Sequence, residues 1–181
     1  MNSGRAQLES IVLLSNDGLL PIRQQNRPNI YVEGMDTESV ELYGNVVATP
    51  QESELAILRV NASEGFRPGQ GPTDINIELP PDVIARISAV IEIGVPTIVG
   101  LNIGSTLVVL PDELIAETGA TLMLFDVLDN PVLDVIFGAF NPVGKLPFEL
   151  PSSMEAVRNQ KEDVPYDSSD PLFEFGFGLT Y

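Results

Sequence analysis

From Pro81 onward the chain alternates helix-like stretches with short, almost wholly apolar runs, and this alternation limits the possible folds more than any other feature. Pro81 with Asp82 behind it opens a segment in which Val83, Ile84, Ile87, Val90 and Ile91 recur at i, i+3, i+4 spacing, and Gly94 is placed to end it. Pro96 to Leu101 then reads as a buried strand. Asp112 to Glu117 reads as a short helix, Ala120 to Phe125 as a strand, Pro131 to Phe137 as a helix and Lys145 to Phe148 as a final strand. Near-continuous apolar strands need cover on both faces, and strands that alternate with helices supply it. The expected fold is therefore α/β: a three-layer sandwich, with a mostly parallel sheet and helices on both faces.

The first half is less regular. Ile11 to Leu14 is an apolar run stopped by Asn16-Asp17-Gly18, Asn29 to Val32 reads as a strand, and Val46 to Ala48 as a short one. Leu55 to Val60 is a stronger strand, and it runs into a stretch from Asn61 to Thr73 that contains Gly65, Pro68, Gly69, Gly71 and Pro72. In an open parallel sheet ligands bind beyond the carboxyl ends of the strands, so this loop leaves from the chemically interesting edge. Asp36, just after the second strand, has two readings: facing the crevice, or serving as a turn or helix cap. Glu38 and Ser39 behind it favour the cap. Residues 1–10 read as a lead-in. Beyond Pro151 the composition turns polar before Phe173, Phe175, Phe177 and Tyr181 restore aromatic character, so 151–181 reads as a surface excursion whose end returns to pack. Phe175-Gly176-Phe177-Gly178 has a second reading as an aromatic platform for a sugar face. All 181 residues are expected to form one domain; at 44% apolar content such a chain buries roughly 70% of its unfolded surface.

Several functions are disfavoured by composition. Nine basic against 26 acidic residues give a net charge of −17, which opposes nucleic acid and anionic membranes as partners. The chain has no His and no Cys, which removes a Ser-His-Asp triad, His- or Cys-ligated metal and thiolate chemistry. Carboxylate, hydroxyl, Lys and Tyr chemistry remains, and neither a cofactor nor a metal is expected. Met1 to Glu9 is too polar for a signal peptide and no apolar run spans a bilayer, so the default expectation is cytoplasmic. Gly138 to Lys145 fails as a phosphate loop, because its glycine spacing is one residue too long and Leu146 stands where Ser or Thr is needed. Gly69-Gln70-Gly71 lacks the third glycine of a dinucleotide site. Asn61-Ala62-Ser63 fits a glycosylation sequon, which matters only in a secreted protein.

Three stretches carry a specific likeness: Glu9 to Pro21 (ESIVLLSNDGLLP), Phe137 to Phe148 (FGAFNPVGKLPF) and Leu172 to Tyr181 (LFEFGFGLTY). Together they resemble the C-terminal α/β domain of family 3 glycoside hydrolases, the β-glucosidase type. The resemblance implies that the complete enzyme hydrolyses β-linked glucosides with retention, and that the attacking carboxylate sits on a barrel domain for which these 181 residues hold no counterpart. It also implies that the loop after Val60 leans onto that barrel and delivers the acid/base carboxylate. Glu64 is the only carboxylate between Asn61 and Thr73, and Asp74 follows. Two readings of Glu64 stand side by side: an exposed loop carboxylate next to Arg67, or the acid/base. Arg67 and Asp74 are the accompanying candidates for substrate contact. Ser15 occupies a position where family members carry Lys. The partners implied are the barrel domain and a β-glucoside-type sugar. The alternatives are a non-catalytic carbohydrate-binding or interaction module and a truncated inactive gene product.

Overall fold

The computed structural model describes residues 3–23, 27–62, 76–104, 107–161, 164, 166–168 and 170–181. The elements run α1 (Ser3–Ser10), β1 (Val12–Asn16), β2 (Asn29–Glu33), α2 (Thr37–Val40), β3 (Asn45–Val46), β4 (Leu55–Asn61), α3 (Pro81–Ile91), β5 (Thr97–Asn102), α4 (Asp112–Glu117), β6 (Ala120–Leu124), α5 (Asp129–Ile136), β7 (Leu150–Pro151), α6 (Met154–Asn159) and β8 (Pro171–Phe173). Six strands form one sheet in the order β1-β6-β5-β4-β2-β3. All neighbours are parallel except β1, which pairs antiparallel with β6 at the edge. β7 and β8 form a separate small ribbon. Among the described residues no helix is long and apolar enough to cross a membrane.

The apolar runs are buried for the reason the sequence suggests. Every residue of β6 and all but the last of β5 are buried, because these strands lie inside the sheet and are covered on both faces. On one face Val83, Ile87 and Val90 of α3 and Leu114 of α4 pack on Ala56, Leu58, Val60, Val99 and Leu101. On the other, Val132, Leu133, Val135 and Ile136 of α5, with Val40 of α2, pack on Leu55, Ile57, Ile98 and Leu122. The three-layer α/β sandwich is thus as expected. Truncating a fully buried member of either layer, such as Ile87, to Ala would cost about 2–5 kcal/mol.

Two local expectations differ from what is found. Lys145 to Phe148 forms no strand. Pro142 and Pro147 bracket it and deny it a ladder, and only Leu146 pairs, donating its N–H to Phe177 O at 2.8 Å and accepting from Gly176 N–H at 2.9 Å. The helix expected from Pro131 starts at Asp129, with Pro131 in the first turn, where its missing N–H costs nothing. Gly138, with a φ of +77°, follows the C-cap Phe137 and ends the helix.

The C-terminal tail closes the β1 edge as a clasp. Leu179 N–H donates to Leu13 O at 2.8 Å, which covers the open edge of the sheet. Beneath it, backbones touch without room for side chains: a Cβ on Gly144 would lie 2.2 Å from Ile11 O, and one on Gly178 would lie 2.3 Å from Gly144 O. Lys145 Nζ donates to Gly178 O at 2.6 Å. Tyr181 hydroxyl donates to Val135 O and lies 3.2 Å from Phe140 O, bolting the chain end to α5. Phe173 and Phe177 pack together, with ring centroids 4.7 Å apart, against the core.

Candidate functional site

The carboxyl ends of β4, β5 and β6 and the turn after β2 converge on one arginine. Arg59 lies on the α5 side of β4, the strand's last hydrophobic position on that face being Ile57. Its guanidinium donates to Asp129 at 2.5 Å, to Val127 O at 2.5 Å and to Asn102 Oδ1 at 3.5 Å. Asp129, in the first turn of α5, is placed where a carboxylate interacts favourably with the helix dipole. Its second oxygen accepts the backbone N–H of Asp36 at 2.8 Å. Both partners of the ion pair are largely buried, with side-chain exposures of 16% and 18%. One salt bridge therefore ties together the β2–α2 turn, the end of β4, the end of β5 and the β6–α5 turn.

In front of that node lies a row of polar side chains. Asn61 and Asn102 are register partners at the ends of β4 and β5. Asn102 Nδ2 donates to Asn61 Oδ1 at 3.2 Å and to Asp126 Oδ1 at 3.4 Å. Asp126 takes a left-handed backbone, φ +49°, a region that Asp tolerates better than most side chains. Asn61 and Asp126 are exposed.

The sequence candidates fall unevenly across this geometry. Glu64, Arg67 and Asp74 lie outside the described residues, on the stretch between Ala62 and Asn76 that continues from the β4 end of the rim. Asp36 caps α2: its carboxylate accepts from Ser39 N–H at 2.9 Å and Ser39 hydroxyl at 2.8 Å. Those bonds, the hydroxyl's foremost, hold the acid below the usual carboxylate range. The two readings of Asp36 thus meet, since its side chain is the cap while its backbone joins the crevice edge through Asp129. Of the aromatic tail, Phe173 and Phe177 pack inward, and Phe175 is left half-exposed against Tyr166, with ring centroids 4.5 Å apart. Ser15 lies opposite Thr121 at a bulge in β1, and its buried hydroxyl has no partner among the described residues.

Sequence reasoning passed over Arg59, Asn102, Asp126 and Asp129. A signal for the arginine was present: it is the one charged residue inside the run Leu55 to Val60, and a lone charge in a buried strand requires a partner. The partner, 70 positions away, carried no such mark.

A second feature is a cavity of about 770 Å³ where α3 and α4 begin, lined by Glu78, Asp82, Asp112, Glu113, Ser153 and Met154 among others. Among the described residues no group of three or more acidic side chains is set to hold a metal ion. Chemically, the carboxyl-end rim offers amides and carboxylates in fixed directions, suited to hydroxyl-bearing ligands rather than to phosphates.

Comparison with known proteins agrees with this architecture. The sequence model described as glycosyl hydrolase family 3 C-terminal domain matches residues 41–181. A probable β-glucosidase C from Aspergillus oryzae is 39% identical over 186 residues, an alignment that covers 97% of this chain and 28% of the relative. The periplasmic β-glucosidase/β-xylosidase of Dickeya chrysanthemi is 34% identical and is covered over 27% of its length. The chain thus spans less than a third of these relatives. Among solved structures, β-glucosidase from Listeria innocua in complex with glucose superposes with a TM-score of 0.74 at 18% identity, over 99% of this chain and 33% of the other. At that identity the likeness bears on fold alone.

Proposed function

The chain belongs to the glycosyl hydrolase family 3 C-terminal domain family, and from that premise we propose that it is the C-terminal part of a β-glucoside-cleaving enzyme acting with retention. The observation that carries this reading is the 39% identity to a probable β-glucosidase C over 97% of the chain. The polar rim supports it, because β4 ends at this sheet edge and the chain runs on from there in sequence to Glu64.

Retaining glycosidases need two carboxylates about 5–5.5 Å apart, one attacking the anomeric carbon and one protonating the leaving oxygen. A general acid alone contributes roughly 10²- to 10⁴-fold, a fraction of what a glycosidase supplies. In the proposed division of labour a barrel domain brings the nucleophile, and this chain brings one wall of the sugar pocket. Glu64 acts as acid/base, and Arg67 and Asp74 contact the substrate.

An aryl β-glucoside assay of the purified chain, with and without a supplied barrel domain, tests the proposal. Turnover is expected only when both are present, with Glu64→Gln lowering it roughly 10²-fold or more. Full turnover by the chain alone would overturn the two-body reading. Unchanged turnover in the reconstituted Glu64→Gln variant would remove Glu64 from its role.

A further inference from the structure

We propose that Asn61, Asn102 and Asp126 form a binding rim for a vicinal diol of a saccharide, with Arg59 as the positioning residue behind them. The inference rests on the reading that this edge faces sugar, and it names side chains other than Glu64, Arg67 and Asp74.

The argument is one of hydrogen-bond direction. A guanidinium can only donate, so Arg59 requires Asn102 to turn its carbonyl oxygen inward. That leaves the Asn102 amide nitrogen pointing along the rim, where its two hydrogens go to Asn61 Oδ1 and Asp126 Oδ1. Asn61, with its oxygen taken, presents its own NH₂ group. Asp126, with one oxygen engaged, presents the other. Neither group has a further partner among the described residues. The outcome is a donor and an acceptor flanking one nitrogen, each within hydrogen-bonding distance of it through the neighbouring oxygen.

A vicinal diol matches this pair: one hydroxyl accepts from Asn61 while its neighbour donates to Asp126. A phosphate would be repelled by Asp126, and an ammonium would leave the Asn61 donor unused. Asp126 combines a left-handed backbone with a carboxylate that accepts from Asn102, and the Asp129 ion pair fixes Arg59 so that the relay keeps one direction. Hydroxyl contacts of this kind exchange with water at small net gain, so millimolar binding is expected.

The test is NMR of the isotopically labelled 181-residue chain titrated with methyl β-glucoside, with trans-cyclohexane-1,2-diol and cyclohexanol as probes. The side-chain amide signals of Asn61 and Asn102 are expected to shift with the glucoside and the diol and to stay put with the mono-alcohol. Asp126→Gly, which removes the carboxylate and suits the left-handed backbone, is expected to weaken binding about tenfold. Asn61→Asp, which keeps the acceptor for Asn102 and removes the outward donor, is expected to weaken it by as much. Equal shifts with cyclohexanol, no shift with any probe, or unchanged affinity in both variants would overturn the proposal. Turnover with a supplied barrel is a separate readout: diol binding without turnover counts against the glycosidase reading alone, and turnover without an amide response counts against the rim alone.

Discussion

The C-terminal clasp and the carboxyl-end rim are built on opposite principles. The clasp is made of backbone against backbone: Gly144 on Ile11, Gly178 on Gly144, Leu179 on Leu13. Its residue identities are dictated by lack of space. The rim is made of side chains that reach across strands, Arg59 to Asp129 and Asn102 to Asn61 and Asp126, and its identities are dictated by donor and acceptor direction. The stretches that make the chain recognisable belong largely to the clasp. Family resemblance therefore reports how the sheet edge is sealed, while any chemistry resides in scattered residues with no motif of their own.

The largest effect is expected at the clasp. Gly144→Ala places a methyl group within 2.2 Å of a backbone oxygen, which no rotamer can relieve. The cost should be about 3 kcal/mol, and thermal unfolding should fall by about 6–12 °C. Diol binding per folded molecule should be unchanged, because the atoms nearest a Cβ on Gly144 belong to Ile11 and Glu9 and not to Asn61, Asn102 or Asp126. If stability holds and binding falls, the separation between clasp and rim is wrong.

The complementary substitution is Arg59→Met, which keeps the stem's apolar bulk and strands Asp129 without its cation. A fully buried pair broken on one side costs about 3–5 kcal/mol; with the modest exposure here about 2 kcal/mol is expected. The discriminating measurement is amide hydrogen exchange. The Asp36 N–H, held by Asp129, should lose protection while the Leu179 N–H, held by Leu13, keeps it. Equal loss at both sites would show that the two regions unfold as one unit.

The layers, the strand order's parallel majority and the ends of α3 were legible because periodicity and burial act locally. Val83, Ile87 and Val90 announce a helix face within one window of sequence. The α5 boundary and the absent strand at Lys145 were misplaced for equally local reasons: Pro131 reads as a start although a helix tolerates it anywhere in the first turn, and Leu146 between two prolines reads as a strand although it makes only one pair of ladder bonds. The rim was illegible because it joins positions 59, 102, 126 and 129, whose proximity exists only once three strand ends are aligned. Even so, Asp36 as a cap was readable, since its partner Ser39 lies three residues on.

The smallest expected effect is alkaline and separates two tyrosines that both anchor to the C-terminal end of α5. Burial pushes the Tyr181 hydroxyl up to about 12 from an ordinary value of 10.0. Tyr43, stacked on Phe137 and donating to Asp134 at 2.9 Å, is also pushed up to about 12, first by burial and then by that carboxylate. A folded-state value above the unfolded one means that the unfolded chain releases these protons first. The stabilisation is therefore fully present below pH 10 and is lost as pH rises toward 12. At neutral pH Tyr181→Phe should cost about 1 kcal/mol, the worth of its hydrogen bonding to α5. Between pH 10 and 12 the variant should lose stability less steeply than the parent chain, and the double variant with Tyr43→Phe less steeply again. Because Tyr181 anchors the clasp and Tyr43 does not, only Tyr181→Phe should also speed exchange of the Leu179 N–H. If Tyr43→Phe does the same, the clasp extends across α5, and the boundary drawn between the two regions moves with it.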